Sequence, residues 1–199
     1  MVIRKSKSKN ALDPNHSFGL PLSQPFYEAA CLLLEHIESR ISKPMADKRN
    51  KDLLRVYAQS SLLPPLFLAR HTIELKIKEV LLLTDIAHGI KKPKKRNMHN
   101  LQELWRELSV VAFADFADEF KENSVTLSTL LECVAFQIDE LHAVDAPGTN
   151  FRYPEALEDN KLFAVDIGEV REQLDAMVDS LGELERAYTA LIDHHNQSV

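Results

Sequence analysis

The sequence is poor in residues that interrupt or cross-link a chain: five glycines and two cysteines in 199 residues, with a single tryptophan. So little glycine disfavours a many-turned β architecture, and the nine prolines fall mainly between periodic segments rather than inside them. Cys31 and Cys133 lie far apart, each in a predicted apolar helix, and read as small core residues in a reducing compartment. Two isolated cysteines cannot build an all-cysteine zinc site, and no histidine pair stands at the spacing that would complete a mixed one. His194 and His195 also lack helical partners at ligand spacing, so neither a metal nor another cofactor is expected. No apolar run approaches the roughly 18 residues of a membrane span. The basic stretch Arg4 to Lys9 has no apolar core behind it, which argues against a secretory signal. Walker, GxGxxG, HExxH and GxSxG patterns are all missing, which removes the usual support for most hydrolase and dinucleotide-binding readings. A cytoplasmic, bacterial protein with no membrane contact is the simplest expectation.

What is present is helical periodicity. Hydrophobic residues make up 45% and charged residues 27%, ordinary values for a globular chain. Residues 1–22 are basic, then rich in Pro, Asn and Ser, and read as a mobile arm ahead of a single helical-bundle domain over 23–195. A helix is expected after Ser23, with Pro25 in its first turn, carrying Phe26, Ala29, Ala30, Leu33, Leu34, Ile37 and Ile41 before Pro44 ends it. A shorter helix follows over Lys48 to Ala58. Pro64 and Pro65 then suit the first turn of a new helix running to about Ala87, with Leu66, Ala69, Ile73, Ile77, Val80, Leu81 and Thr84 inward.

Asn100 and Glu103 resemble a capping box opening a helix through Leu101, Leu104, Trp105 and Leu108, with a bend or break expected before Asp115 to Phe120. Another helix is predicted over Thr126 to Ala143, with Leu127, Leu130, Leu131, Val134, Ile138 and Leu141 inward. Residues 144–165, with Pro147-Gly148 and Pro154, read as a long irregular connection, a kind of segment that is often functional. In the last helix, Val170, Leu174, Met177, Leu181, Leu184, Tyr188 and Leu191 alternate four and three apart, a heptad seam. That seam packs inside a bundle or forms a homodimer. The expected fold is therefore all-α, an antiparallel bundle of five to six main helices with a long irregular connection before the last.

Three places gather polar residues. On a helix Arg70, Glu74 and Lys78 fall one turn apart on one stripe, with His71 beside it. The helix is otherwise so apolar that this stripe either salt-bridges at the surface or enters the interior, where a charge needs a partner or a ligand. His99 stands at a helix start, where it can cap, move a proton or meet an anion. Within Asp145 to Pro154, Phe151 and Tyr153 anchor the segment, and Arg152 either clamps a carboxylate such as Glu74 or Asp145 or binds phosphate. The net charge of −6 excludes a uniformly basic nucleic-acid binder and leaves only a local patch. Lys91, Lys92, Lys94, Lys95 and Arg96 supply one, either merely solvated or tracking a phosphate backbone.

Leu68 to Lys78 followed by His99-Asn100-Leu101 resembles the HEPN superfamily (higher eukaryotes and prokaryotes nucleotide-binding), in which an Arg-x-x-x-Glu-x-x-x-Lys helix precedes a His-Asp-Leu-like helix start. The Asp145 to Pro154 segment looks like that of bacterial proteins with this helix pair, and the resemblance spans about residues 60–190. It implies an α-helical bundle, frequent dimerisation, and links to RNA cleavage, nucleotide binding, toxin–antitoxin pairs with a partner encoded nearby, or phage defence. The catalytic members carry Arg-x4-6-His on a late helix. No arginine here has a histidine at that spacing; Arg186 and His194, with seven residues between them, come nearest. The resulting expectation is an RNA- or nucleotide-binding pocket of Arg70, His71, Glu74, Lys78, His99, Asp145 and Arg152. A metal-independent ribonuclease using an arginine and His71 or His99 is one alternative. A non-catalytic interaction module locked by the polar stripe is the other.

Overall fold

A computed structural model describes residues 22–41, 50–116, 127–145 and 166–197. Among them are five helices: α1 (Ser23–Ile41), α2 (Asn50–Ala87), α3 (Leu101–Phe116), α4 (Leu127–Asp145) and α5 (Ile167–Gln197). The chain is an all-α bundle in which α2 is the common wall, packing on α1, α3 and α5, while α3 pairs with α4. None of the described helices is long and apolar enough to cross a membrane.

The inward positions follow the 3.6-residue period. Leu66, Ala69, Ile73, Ile77, Val80, Leu81 and Thr84 of α2 are all buried, as are Leu127, Leu131, Val134 and Ile138 of α4. Leu130 and Leu141 are half-buried at the edge of this core. A second, smaller cluster joins Leu34 and Ile37 of α1 to Leu62, Leu63 and Leu66 of α2. The heptad seam of α5 is spent inside the chain. Leu174, Met177, Leu181, Leu184 and Tyr188 are at most 3% exposed, so the surface that a homodimer through the last helix would use is already covered.

The structure departs from the sequence expectation at several points. The helix expected from Lys48 to Ala58 and the one expected to start at Pro64 are a single element, with Pro64 and Pro65 inside it. Two prolines remove the bonds that residues 64 and 65 would donate to the carbonyls of Ser60 and Ser61, a cost of about 3 kcal/mol or more in a helix interior. Burial of Leu62, Leu63, Pro65 and Leu66, three of them against α1, offsets it. α3 runs unbroken through Asp115 to Phe116 because Ala112 and Phe116 continue its buried face. α4 extends two residues beyond Ala143, which places Asp145 in its last turn. Cys133 is exposed, not core, since it lies off the stripe formed by Leu127, Leu131, Val134 and Ile138; Cys31 is half-buried, and both are free thiols. The expected arm falls, apart from residue 22, outside the described residues. So does the connection beyond Asp145 up to residue 165, including Arg152.

Turn chemistry places the site. α2 ends in a Schellman arrangement: Gly89 adopts φ 68°, its N–H donates to the Ile86 carbonyl, and the Ile90 N–H donates to that of Asp85. The chain is thereby reversed, and residues 90–100 return along α2. Asn100 then caps α3, its Oδ1 accepting from the Glu103 N–H at 3.2 Å. Asp166 caps α5 in the same way, accepting from the N–H groups of Gly168 and Glu169.

Candidate functional site

Four-residue spacing puts Arg70, Glu74 and Lys78 on one stripe of α2, and the fold buries that stripe beneath the returning segment and the end of α4. Arg70 and Glu74 are 3% and 2% exposed, and Asp145 is fully buried. The Arg70 guanidinium is met on three sides. Nη1 donates to Glu74 Oε2 at 3.2 Å, Nη2 donates to the His99 carbonyl at 2.7 Å, and Nε faces Asp145 Oδ2 at 3.3 Å. Glu74 is equally occupied. Its Oε1 accepts from Lys78 Nζ at 2.8 Å and from His99 Nδ1 at 2.8 Å.

The cluster balances two buried carboxylates against two fixed cations and an imidazole. Charges removed from water this completely persist only when every one is paired. Burial alone pushes the Glu74 carboxyl up, but the donors Lys78 and His99 outweigh it and hold the group below its ordinary value. Solvent reaches the cluster from one side. The His99 side chain is 64% exposed and that of Lys78 20%. With Nδ1 turned to the buried carboxylate, the exposure of the His99 ring falls on its remaining atoms, Nε2 among them.

Asp85 lies eleven residues beyond Glu74, which is about 20° from the same stripe after three turns. It fastens the other end of the return. Arg96 grips both of its oxygens, through Nη1 at 2.8 Å and Nη2 at 3.0 Å, and the Lys94 N–H adds a third bond at 2.8 Å. Glu107 of α3 accepts from Arg96 Nη2 at 3.1 Å and from Lys94 Nζ at 3.1 Å. The Arg96 guanidinium beside Asp85 holds that carboxyl below its usual range.

The sequence-predicted residues therefore separate into groups. Arg70, Glu74, Lys78, His99 and Asp145 converge. Arg70 and Asp145 are spent on each other and on their neighbours, so they brace the site from beneath and do not face an incoming ligand. His71 lies elsewhere, in the α1–α2 interface, edge-on to Phe26 at 4.7 Å and stacked on Phe67 at 5.8 Å. Arg152 is outside the described residues. Within the basic segment Lys91, Lys92, Lys94 and Lys95 are exposed. Arg96 is not: its side chain is 5% exposed and is an internal clamp.

Asp85 and Glu107 were missed by the sequence reading, although the stripe position of Asp85 was the available signal. A second polar group also went unread. Tyr188 of α5, fully buried, donates to Asp115 Oδ2 at 2.8 Å, while Asp115 Oδ1 meets His88 Nε2 at 3.1 Å. His88 Nδ1 lies 2.8 Å from the Thr84 carbonyl, so both ring nitrogens face acceptors. A small apolar cavity of about 60 Å³ lies between α2, α4 and α5, beside Ala69, Ile73, Leu141 and Met177. Among the described residues no group of three or more His, Cys, Asp or Glu is placed to hold a metal ion. Comparison with protein-family models, curated proteins and solved structures finds no match to the chain.

Proposed function

We propose that this chain is a HEPN-like helical protein that binds RNA or a nucleotide along the edge where His99, Lys78 and the exposed lysines of the returning segment face solvent. The observation that carries the reading is the His99 ring, exposed but fixed through Nδ1 to a buried carboxylate and flanked by Lys78. A preset ring with a cation beside it suits a phosphate oxygen. Lys91, Lys92 and Lys95, exposed on the same returning segment, would extend the contact along a phosphate backbone. The cations form a local strip on a chain of net charge −6, so binding should depend strongly on salt. A setting in bacterial defence or in a toxin–antitoxin pair, with a partner protein, belongs to the same reading.

Filter binding of single-stranded RNA over a salt series tests it. Four phosphates met by Lys78, Lys91, Lys92 and Lys95 should give a log–log slope of about −3. Replacing Lys91, Lys92 and Lys95 by glutamine should flatten that slope, and His99→Ala should weaken retention at every salt concentration. Absence of RNA or nucleotide retention even at low salt overturns the proposal.

The burial of Arg70, Glu74 and Asp145 in ion pairs with one another favours a second reading, an interaction module whose polar stripe only locks helices together. It predicts large losses of melting temperature in Arg70→Ala and Glu74→Ala with no ligand detectable in the parent chain.

A further inference from the structure

We infer that Nε2 of His99 is a phosphoryl acceptor, taking a phosphoryl group from an activated donor with a P–N or acyl-phosphate bond. Phosphorylation of an imidazole needs a nitrogen lone pair that reaches solvent, a means of keeping the ring proton on the other nitrogen, and cationic surroundings for the incoming anion. His99 meets all three. Its side chain is 64% exposed while Nδ1 sits 2.8 Å from Glu74 Oε1. A carboxylate there accepts only from Nδ1–H, so in the neutral ring the lone pair lies on Nε2. Lys78 Nζ lies the same distance from that oxygen, so ammonium and ring are within twice this distance of each other.

The charge of Glu74 does not repel the donor, because Lys78 and His99 occupy Oε1 and Arg70 occupies Oε2. His99 also stands immediately before the capping residue of the sixteen-residue helix α3, at the positive end of its dipole. The step balances without a further reactant. The Nε2 lone pair attacks phosphorus and forms a P–N bond; the bond to the leaving group breaks, and its electron pair departs with ammonia or the carboxylate. The phosphorylated ring retains its Nδ1 proton and a positive charge, which Glu74 neutralises in place. Glu74 and Lys78 are positioning residues in this step.

Other described histidines provide the contrast. His88 has both nitrogens on acceptors, Thr84 O and Asp115 Oδ1. His36, His194 and His195 are exposed.

The inference does not require RNA binding, and its readout is separate from filter retention, so either can fail alone. The full chain is incubated with potassium phosphoramidate, and acid-labile phosphohistidine is mapped by peptide mass spectrometry over time. His99 should be labelled about tenfold faster than His36, His194 or His195. Lys78→Gln should slow labelling at His99 severalfold and leave the other three unchanged. In His99→Gln the fast phase should disappear. Acetyl phosphate should reproduce the same site preference. Labelling spread evenly over the exposed histidines, or a Lys78→Gln effect of equal size at all of them, overturns the inference.

Discussion

At the scale of single residues, exposure separates those that hold the site from those that face solvent. Glu74 is 2% exposed and accepts from Arg70, Lys78 and His99 together. Glu74→Gln should therefore cost about 3–5 kcal/mol in urea unfolding, the penalty of removing one charge from a buried ion cluster in which Arg70 then keeps only Asp145 as counter-charge. His99→Ala removes a largely exposed ring and should cost less than about 1 kcal/mol while abolishing the fast phosphoramidate phase. If the two variants destabilise equally, His99 is as structural as its partner. Tyr188→Phe keeps the ring contact with Phe116, 4.8 Å between centroids, but takes the hydroxyl from Asp115. An expected loss of about 1–3 kcal/mol in the same assay reflects a buried acceptor left with fewer donors.

Helices and turns were far more legible in the sequence than the contacts between them. The spacing of Leu66, Ala69, Ile73 and Ile77 marked the inner face of α2, and Asn100 with Glu103 marked the start of α3. Prolines 64 and 65 misled, because a proline that opens a helix and one tolerated inside it look alike until the packing of Leu62 and Leu63 is known. The site was half legible. Four-residue spacing joined Arg70, Glu74 and Lys78, yet pairing over long separations, such as Arg96 with Asp85 or Tyr188 with Asp115, depends on how the chain turns back. Two variants probe these elements. Gly89→Ala should destabilise by about 1–2 kcal/mol through backbone conformation alone, since an added Cβ there meets no atom within 4 Å. Pro64→Ala, at an exposed position, should stabilise by about 1–2 kcal/mol by restoring the bond to the Ser60 carbonyl. Thermal melts measure both, and a neutral Gly89→Ala would show that the reversal after α2 does not depend on glycine.

For the molecule as a whole, titration limits stability on both sides. Asp85, Glu74 and Glu107 are each held below their ordinary carboxyl values. For Asp85 the Arg96 hydrogen bonds are the main cause. For Glu74 and Glu107 bonds from Lys78 and His99, and from Lys94 and Arg96, overcome the opposing effect of burial. A carboxyl depressed in the folded state contributes its full stabilisation above its unfolded value and loses it as pH falls through the folded one. Chemical stability should therefore decline below about pH 4. The Tyr188 phenol is pushed well up by burial and by its bond to Asp115, and that of Tyr27 by its bond to Asp175 and then burial. These groups stabilise below the unfolded phenol value of about 10 and lose that contribution as pH rises beyond it. Urea midpoints measured from pH 3 to 11 should trace a plateau with both shoulders; a midpoint still rising below pH 4 would contradict the carboxylate network.

The double fastening of the returning segment has a consequence for a cut chain. Lys91 and Lys95 are exposed, yet the residues on either side of them are held, by the Gly89 reversal upstream and by the Arg96 grip on Asp85 downstream. Trypsin cleaving after either lysine would sever the covalent link between the α1–α2 half and the α3–α5 half without exposing the core they share. The two pieces should run apart in denaturing gels and co-elute as one particle under native conditions, a split protein whose halves remain each other's ligand.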